Sequence, residues 1–162
     1  MTYKRLDYTL YMIIIKPDAI TDFRKDYFFL SNFYPCTFIY DDITYPSSEH
    51  AYMACKVLDK DHRRMIAALK TAREARNYGQ TVVLRPNWED IKYRYMKEVL
   101  VEKFSQNLNL KEKLLATGNR QLVEGGLWHD LWWGICNCEK HQGDGKNALG
   151  QILMEIRDSF KM

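Results

Sequence analysis

Two short runs of β-prone residues enclose a pair of aspartates, and this feature constrains the fold more than any other in the sequence. Phe38–Tyr40 and Ile43–Tyr45 flank Asp41-Asp42, and the pattern predicts a two-stranded β-hairpin with a two-residue turn. Pro46 ends the second run, because proline has no N–H to donate to a strand ladder. Whatever follows position 46 must therefore leave the hairpin.

Signals for helices fill most of the remaining chain. Ser47 or Ser48 can cap a helix that begins near Glu49 and ends near Leu58. Apolar periodicity and capping residues predict five further helices. One begins at Asp59 or Asp61, and the others span residues 71–79, 110–116 before Gly118, and 147–160, with one more that begins after the N-cap Asn87. The apolar stripe of the helix after Asn87 consists of Trp88, Ile91, Tyr95 and Val99. Short strands are predicted at residues 9–15, 122–124 and 132–136. Because strands and helices do not alternate regularly, we predict an α+β fold, a compact helix-rich single domain with several short strands.

Length and charge exclude several classes of protein. The 162 residues suit one domain, and no apolar run approaches the roughly 20 residues that span a membrane. The N-terminal segment does not have the pattern of a signal peptide, so we expect no membrane association and a cytoplasmic location. A net charge of +3 is too small to indicate nucleic-acid binding by itself.

The four cysteines do not form the framework of a small disulfide-rich protein. Cys136 and Cys138, with His141 nearby, loosely suggest a metal site. Their spacing is not that of a standard zinc knuckle, and no second pair of ligands is evident from the sequence. We therefore expect reduced structural thiols, and neither a metal nor a cofactor.

Glu49 and Lys56 are the first candidates for chemistry. They lie seven residues apart on one predicted helix, so they differ by only about 20° around the axis and about 10 Å along it. A carboxylate and an amine placed in this way can face one cleft without pairing directly. The alternative is a solvated pair on an exposed face.

A tryptophan-rich segment, residues 128–134, is the second candidate. One of Trp128, Trp132 and Trp133 can stack on a flat ring, a contact worth roughly 1–3 kcal/mol. Asp130 can orient a sugar hydroxyl or a catalytic amine. The alternatives are a tryptophan core and a carboxylate that only shapes a turn.

Two loops supply further polar candidates. Ser31 and Asn32 precede Pro35 and can bind a ligand or merely shape a turn. The glycine-rich residues 143–147 precede the last helix, where backbone N–H groups can approach a phosphate. The alternative there is a flexible loop with Asn147 as a cap.

Taken in order, these segments resemble the NADAR, or YbiA-like, family. The matching residues are 29–35, 45–52 with Lys56, Asn87-Trp88, Met96, Lys103-Phe104, 115–118, 122–124, Asp130 with Trp133-Gly134, 145–150, Leu153-Met154 and Arg157. Each segment is weak alone, but their order and spacing are specific. The resemblance covers about residues 23–160, so we assign a NADAR domain to residues 23–162 and an N-terminal extension packed on it to residues 1–22.

The resemblance implies N-glycosidase activity on ribose-linked compounds, without a cofactor. Two substrate classes are associated with the family: phosphorylated intermediates of riboflavin biosynthesis, and ADP-ribose on guanine in DNA, whose removal reverses ADP-ribosylation by a toxin or a phage-defence enzyme. We favour ADP-ribosylated guanine, because no riboflavin-pathway domain is fused to this chain. A non-catalytic module that binds NAD or ADP-ribose is the other alternative. The expected partner is the modified DNA or a ribosyl nucleotide, and no obligate protein partner is expected.

The family's functional positions carry over residue by residue. Lys56 matches the lysine thought to attack the ribose C1 and form a Schiff base, Glu49 matches a candidate proton shuttle, and Asp130 matches the acid before the Trp-Gly pair. The expected substrate-binding residues are Ser31, Asn32, Phe33, Trp88, Trp133, Gly134 and Asn147. The chain departs from the family at Met53, where glutamine is frequent, and at Cys136, where glycine is frequent.

Overall fold

The computed structural model describes residues 13–162, which divide into two compact units. The first unit contains residues 13–23 and 119–155, and the second contains residues 24–118 and 156–162. Most of the predicted strand at residues 9–15 and of the predicted N-terminal extension lies outside the described residues. Residues 13–15 form no strand.

The second unit holds most of the regular structure. A 3-10 helix at Lys25–Leu30 precedes the hairpin strands β1 and β2 and the helices α1 to α5. The bounds are β1 Phe38–Tyr40, β2 Ile43–Tyr45, α1 Ser48–Cys55, α2 Lys60–Ala67, α3 Ala72–Gly79, α4 Trp88–Gln106 and α5 Leu108–Ala116. With the short strands of the first unit, this content confirms the predicted α+β class.

The predicted hairpin is confirmed residue by residue. β1 and β2 pair antiparallel with Phe38 opposite Tyr45, and both of these side chains are buried. Asp41 and Asp42 have φ angles of 50° and 60°, the left-handed backbone that a tight two-residue turn needs at both central positions. Aspartate tolerates this conformation better than most residues do, which explains why the pair marks the turn.

Helix α1 is buried on every side. All eight residues from Ser48 to Cys55 are buried, and the helix packs against α2, α3 and α4. Ser47 is its N-cap, and the hydroxyl oxygen accepts a 3.2 Å bond from the His50 N–H. The helix ends at Cys55 rather than near Leu58, so Lys56 is its C-cap residue.

Two other predicted caps are confirmed with their side-chain bonds, and a third is confirmed in position only. Asp59 and Thr71 accept bonds from backbone N–H groups at the starts of α2 and α3. Asn87 occupies the N-cap position of α4, but its φ is 61° and its side chain makes no capping bond. On α4, the apolar stripe is also shifted: Ile91 and Tyr95 are only partly buried, and the buried face consists of Trp88, Met96, Val99, Leu100, Lys103 and Phe104.

The first unit contains little regular sheet. Its strands, β3 Gly125–Gly126 and β4 Ile135–Cys136, pair in parallel. The predicted strand at residues 122–124 is wrong, because Leu122 forms only an isolated bridge with Ile20. The predicted strand at residues 132–136 is reduced to its last two residues, because the backbone N–H groups of Trp132 and Trp133 bond to a side chain instead of a neighbouring strand.

The last helix, α6, spans Ala148–Ser159. Its predicted apolar face is confirmed, since Leu149, Ile152, Leu153 and Ile156 are all buried, while Phe160 follows the helix. Among residues 13–162, no helix combines the length and apolar character needed to cross a membrane.

Candidate active site

Lys56 lies at the carboxyl end of α1 with its side chain half-buried. Its Nζ donates a 3.1 Å hydrogen bond to the carbonyl oxygen of Gly79, the last residue of α3. Burial lowers the pKa of the amine below its usual range, and the positive charges of Arg76 and Lys92 lower it further, against the opposing charges of Glu49 and Glu89. Such a lysine holds more of the neutral, nucleophilic form at a given pH than a free lysine does.

Glu49 lies in the first turn of the same helix and is 7% exposed. Its backbone N–H donates a 3.0 Å bond to the carbonyl oxygen of Asn32. The alternative of a solvated Glu49 on an exposed face is therefore wrong. Because its charge acts on the pKa of Lys56, the two groups interact electrostatically.

The turn at residues 31–33 holds the start of α1. Asn32 accepts a 2.8 Å bond from the Ser48 hydroxyl on its Oδ1. Ser31 accepts a 3.1 Å bond from the Phe33 N–H on its hydroxyl oxygen. Asn32 is therefore a positioning residue for the amino end of α1, while Ser31 stabilises its own turn. The expected roles of both residues in substrate binding remain predictions.

Phe33 and Trp88 are the predicted aromatic site residues of the second unit. The guanidinium carbon of Arg76 lies 6.0 Å from the centroid of the half-buried Phe33 ring, so Phe33 is near a cation that also acts on Lys56. Trp88 is buried and packs its ring between Tyr52 and Tyr95, with centroids 5.4 Å and 6.3 Å away. Phe33 is thus the more accessible of the two rings.

Lys103, one of the residues that carry the family resemblance, is a buried lysine that was not predicted as a site residue. Its side chain is fully buried, and Nζ donates a 2.9 Å bond to the carbonyl oxygen of Ser31. Burial lowers its pKa to about 8, against a smaller opposing effect of Cys36. Its place on the buried face of α4, between Leu100 and Phe104, was the signal available in the sequence.

In the first unit, Asp130 shapes a turn. Its Oδ1 accepts hydrogen bonds from the backbone N–H groups of Trp132, at 3.0 Å, and Trp133, at 2.8 Å. The two indole rings meet edge to face. At Gly134 there is no room for a side chain, because a Cβ atom there would lie 2.3 Å from the Glu124 carbonyl oxygen. The structure therefore brings together the predicted residues Asp130, Trp133 and Gly134.

Asn147 is bound to the backbone on both of its polar side-chain atoms. Oδ1 accepts from the Glu124 N–H at 2.9 Å, and Nδ2 donates to the Leu122 carbonyl at 2.9 Å. The residue is buried and has a φ of 51°. These contacts give Asn147 a structural role. Its role in substrate binding remains a prediction.

The amides at the start of α6 are also engaged. The N–H groups of Lys146, Asn147, Ala148 and Leu149 donate to the carbonyl oxygens of Leu131, Gly134, Trp132 and Trp133, respectively, at 2.9 to 3.2 Å. The expectation that this loop presents its N–H groups to a phosphate therefore does not hold for these four amides. These hydrogen bonds instead join the loop to the tryptophan-rich segment.

The second unit also contains a groove that does not involve the predicted site residues. It is lined by Tyr40, Asp41, Arg63, Arg85, Tyr95 and Glu98, among others, and by none of the predicted site residues. The Arg85 guanidinium lies over the Tyr95 ring at 4.8 Å. The chemistry predicted for Lys56 and Glu49 therefore does not involve this groove.

Comparison with known proteins identifies the family. The NADAR domain family matches residues 20–161, nearly the whole described chain. The chain belongs to the NADAR family. The match includes every residue carried over from the resemblance, in both units.

Two relatives of similar length are named N-glycosidases, and a third, longer one is named for riboflavin biosynthesis. The N-glycosidase YbiA of Escherichia coli is 36% identical over 151 residues, covering 90% of this chain and 91% of YbiA. An N-glycosidase of Nostoc punctiforme is 33% identical over 136 residues, covering 81% of this chain and 84% of that protein. A riboflavin biosynthesis protein of Vibrio vulnificus is 37% identical over 137 residues, but this chain covers only 35% of it.

The fold agrees as well. The NMR structure of E. coli YbiA matches with a TM-score of 0.75 and 34% identity, covering 94% of this chain and 89% of the YbiA chain. Together with the names of the relatives, this confirms the expected enzyme class, a hydrolase acting on N-glycosyl bonds.

Proposed function

We propose that the protein hydrolyses the bond between a ribose C1 and a base nitrogen through a Schiff base on Lys56, and that it removes ADP-ribose from ADP-ribosylated guanine in DNA. The observation that carries the proposal is the half-buried Lys56 amine, with a lowered pKa, on the same buried helix as Glu49. A non-catalytic binding module has no need of an amine activated in this way.

The proposed reaction starts with proton transfer. Glu49 donates a proton to the ribose ring oxygen, and the ring opens to leave an iminium between C1 and the base nitrogen. The neutral amine of Lys56 attacks C1, and the C1–N bond to the base breaks as the base nitrogen takes up a proton. Water then attacks the lysine Schiff base and releases the ribose aldehyde, which recloses, so the net reaction consumes one water.

Charge near Lys56 supports a phosphorylated substrate. Arg76 and Lys92 both act on the pKa of the Lys56 amine, and because Lys92 is paired with Glu89, Arg76 is the cation that we propose for a phosphate. Cations in such a place attract phosphate oxygens, which both ADP-ribose and a phosphorylated ribosyl compound carry. Asp130, whose Oδ1 already accepts two backbone bonds, is proposed separately as a residue that contacts the substrate.

A second substrate class is favoured by one finding. The Vibrio vulnificus relative is named for riboflavin biosynthesis. Phosphorylated riboflavin-pathway intermediates with a ribose C1–N bond are therefore the second candidate, and they would use the same lysine chemistry.

Product analysis by mass spectrometry tests both candidates. Wild-type protein, Lys56→Ala and the matched control Lys70→Ala, which changes an exposed lysine, are each incubated with an ADP-ribosylated guanine oligonucleotide. We expect free ADP-ribose from the wild type and from Lys70→Ala only, and a borohydride-trapped adduct on Lys56. Release only from a riboflavin intermediate would replace the first substrate with the second. Undiminished release by Lys56→Ala would exclude the lysine mechanism.

A further inference from the structure

Four potential metal ligands converge in the first unit. They are His129, Cys136, Cys138 and His141, and one ligand atom from each lies within 4.8 Å of the others. Only Cys136, Cys138 and His141 stand together in the sequence, because His129 lies seven residues before Cys136, in the tryptophan-rich segment. Both cysteines are free thiols.

Four of the six separations between these atoms lie within about 0.5 Å of the edges of a zinc tetrahedron, and the remaining two, both from the Cys136 Sγ, do not exceed 4.8 Å. The Nδ1 of His129 lies 3.2 Å from the Nδ1 of His141, 3.7 Å from the Cys136 Sγ and 3.6 Å from the Cys138 Sγ. The Cys138 Sγ lies 3.1 Å from the His141 Nδ1. With Zn–S near 2.3 Å and Zn–N near 2.0 to 2.1 Å, tetrahedral coordination requires edges of about 3.3 to 3.8 Å.

Hydrogen bonding does not account for this convergence. The Nδ1 of a neutral histidine makes one hydrogen bond, as a donor or as an acceptor. The Nδ1 of His129 faces three polar neighbours, and that of His141 faces two. A cation at the centre of the four atoms would satisfy them all at once.

The backbone holds the ligands in place. Cys136 donates its N–H to the Asp144 carbonyl at 2.9 Å and accepts the Gly143 N–H at 2.7 Å. The carbonyl of Cys138 accepts the N–H groups of His141 and Gln142 at 3.1 Å and 2.8 Å. Three of the four ligands therefore lie on one closed loop, residues 136–144, and His129 reaches it from the preceding segment.

We propose that His129, Cys136, Cys138 and His141 form a structural zinc site. Two thiolates and two imidazoles are the donor set of tetrahedral structural zinc. Binding displaces the two thiol protons to solvent, so the two thiolate charges balance the zinc charge and the completed site is neutral. All four positions are taken by protein, which makes the zinc structural and leaves it outside the proposed reaction.

The site would fasten the segment that carries Asp130. His129 directly precedes Asp130, and its φ of 61° is an uncommon backbone conformation for a histidine. A metal bond to His129 offsets the cost of that conformation and fixes the entry to the Asp130 turn. This zinc proposal does not depend on which ribosyl substrate the protein uses.

Metal analysis of the untagged full chain tests the proposal. The protein is stripped with a chelator, given one equivalent of zinc and desalted, and zinc is measured by elemental mass spectrometry. We expect about one zinc per chain in the wild type and in the control Cys36→Ser, and at least a tenfold loss in Cys138→Ser and His129→Asn. Circular dichroism identifies any variant that fails to fold. For such a variant, the evidence comes instead from stripped wild-type protein loaded with cobalt.

Cobalt gives the second readout. Cobalt bound to the wild type is expected to give the intense visible absorption of tetrahedral coordination and a thiolate-to-metal band in the near ultraviolet. Three results would each overturn the proposal. They are a wild type that holds no zinc after reconstitution, equal zinc in the wild type and the two ligand variants, and a cobalt spectrum without the thiolate band.

Discussion

The Nζ atom of Lys56 lies 3.1 Å from the carbonyl oxygen of Gly79, which joins the end of α1 to the end of α3. Gly79 is pressed against α1, because a Cβ atom there would fall 2.2 Å from the Met53 sulfur. The close contact between the two helices therefore lets this carbonyl reach the lysine. It holds the amine in one place while burial lowers its pKa.

Replacing Arg76 with methionine should move the pH dependence of the reaction to higher pH. The Arg76 charge lowers the pKa of Lys56, so its removal raises that pKa and leaves less neutral amine at pH 7. Since Arg76 is exposed, we expect an activity loss of only about two- to threefold at neutral pH, recovered at high pH. A pH–rate profile measures this, with Arg73→Met as an exposed control on the same helix. An unchanged profile for Arg76→Met would remove Lys56 as the titrating nucleophile.

Two glutamate variants separate proton transfer from electrostatics. Glu49 and Glu89 both raise the pKa of Lys56, so Gln at either position should lower that pKa and move the profile to lower pH. Only Glu49→Gln should also reduce kcat, by about a hundredfold or more, because only Glu49 is proposed to move protons. Equal kcat values for the two variants would show that Glu49 acts through its charge alone.

Asp130 is tested by comparing Asn with Ala. Asparagine keeps an Oδ1 acceptor for the N–H groups of Trp132 and Trp133, whereas alanine leaves both without their partner. We expect Asp130→Ala to lower the free energy of unfolding by about 2 kcal/mol and Asp130→Asn to change it little. If Asp130 also contacts the substrate, Asp130→Asn loses activity despite its stability. Full activity of Asp130→Asn would limit the residue to shaping the turn.

Lys103→Met should remove a pH dependence of stability. The folded pKa of Lys103 is about 8, against 10.5 for the ordinary side chain, so between these values the unfolded chain binds more protons. The free energy of unfolding of the wild type, relative to the variant, should therefore rise with pH above about 8, by about 2 kcal/mol up to pH 9.5. Below pH 8 both states carry the charge, and the difference stays constant. Denaturant unfolding across this range measures it, and parallel curves for the two proteins would contradict it.

The sequence was sufficient where local chemistry decides the structure. The Asp41-Asp42 turn and the caps Ser47, Asp59 and Thr71 act on neighbouring residues, so their patterns can be read directly. Asn87 stands at the predicted N-cap position of α4, but its backbone took the left-handed conformation and its side chain makes no capping bond.

Long-range contacts were beyond the sequence. Lys56 and Glu49 were found by helical spacing and family resemblance, but nothing local showed that Gly79 would accept the lysine's bond. Likewise, Asn147 was expected to serve a ligand, whereas its side chain bonds to residues 122 and 124, more than twenty positions away. Such roles depend on which segments the fold brings together.

The segment at residues 130–134 is held from two directions, by the Asp130 carboxylate on its N–H groups and by the amides of residues 146–149 on its carbonyls. A backbone secured in this way has little freedom to adapt to a new ligand. In directed evolution, altered recognition by this segment should therefore come from exchanging the side chains of Trp132 and Trp133, whereas insertions or deletions between positions 130 and 134 should be selected against.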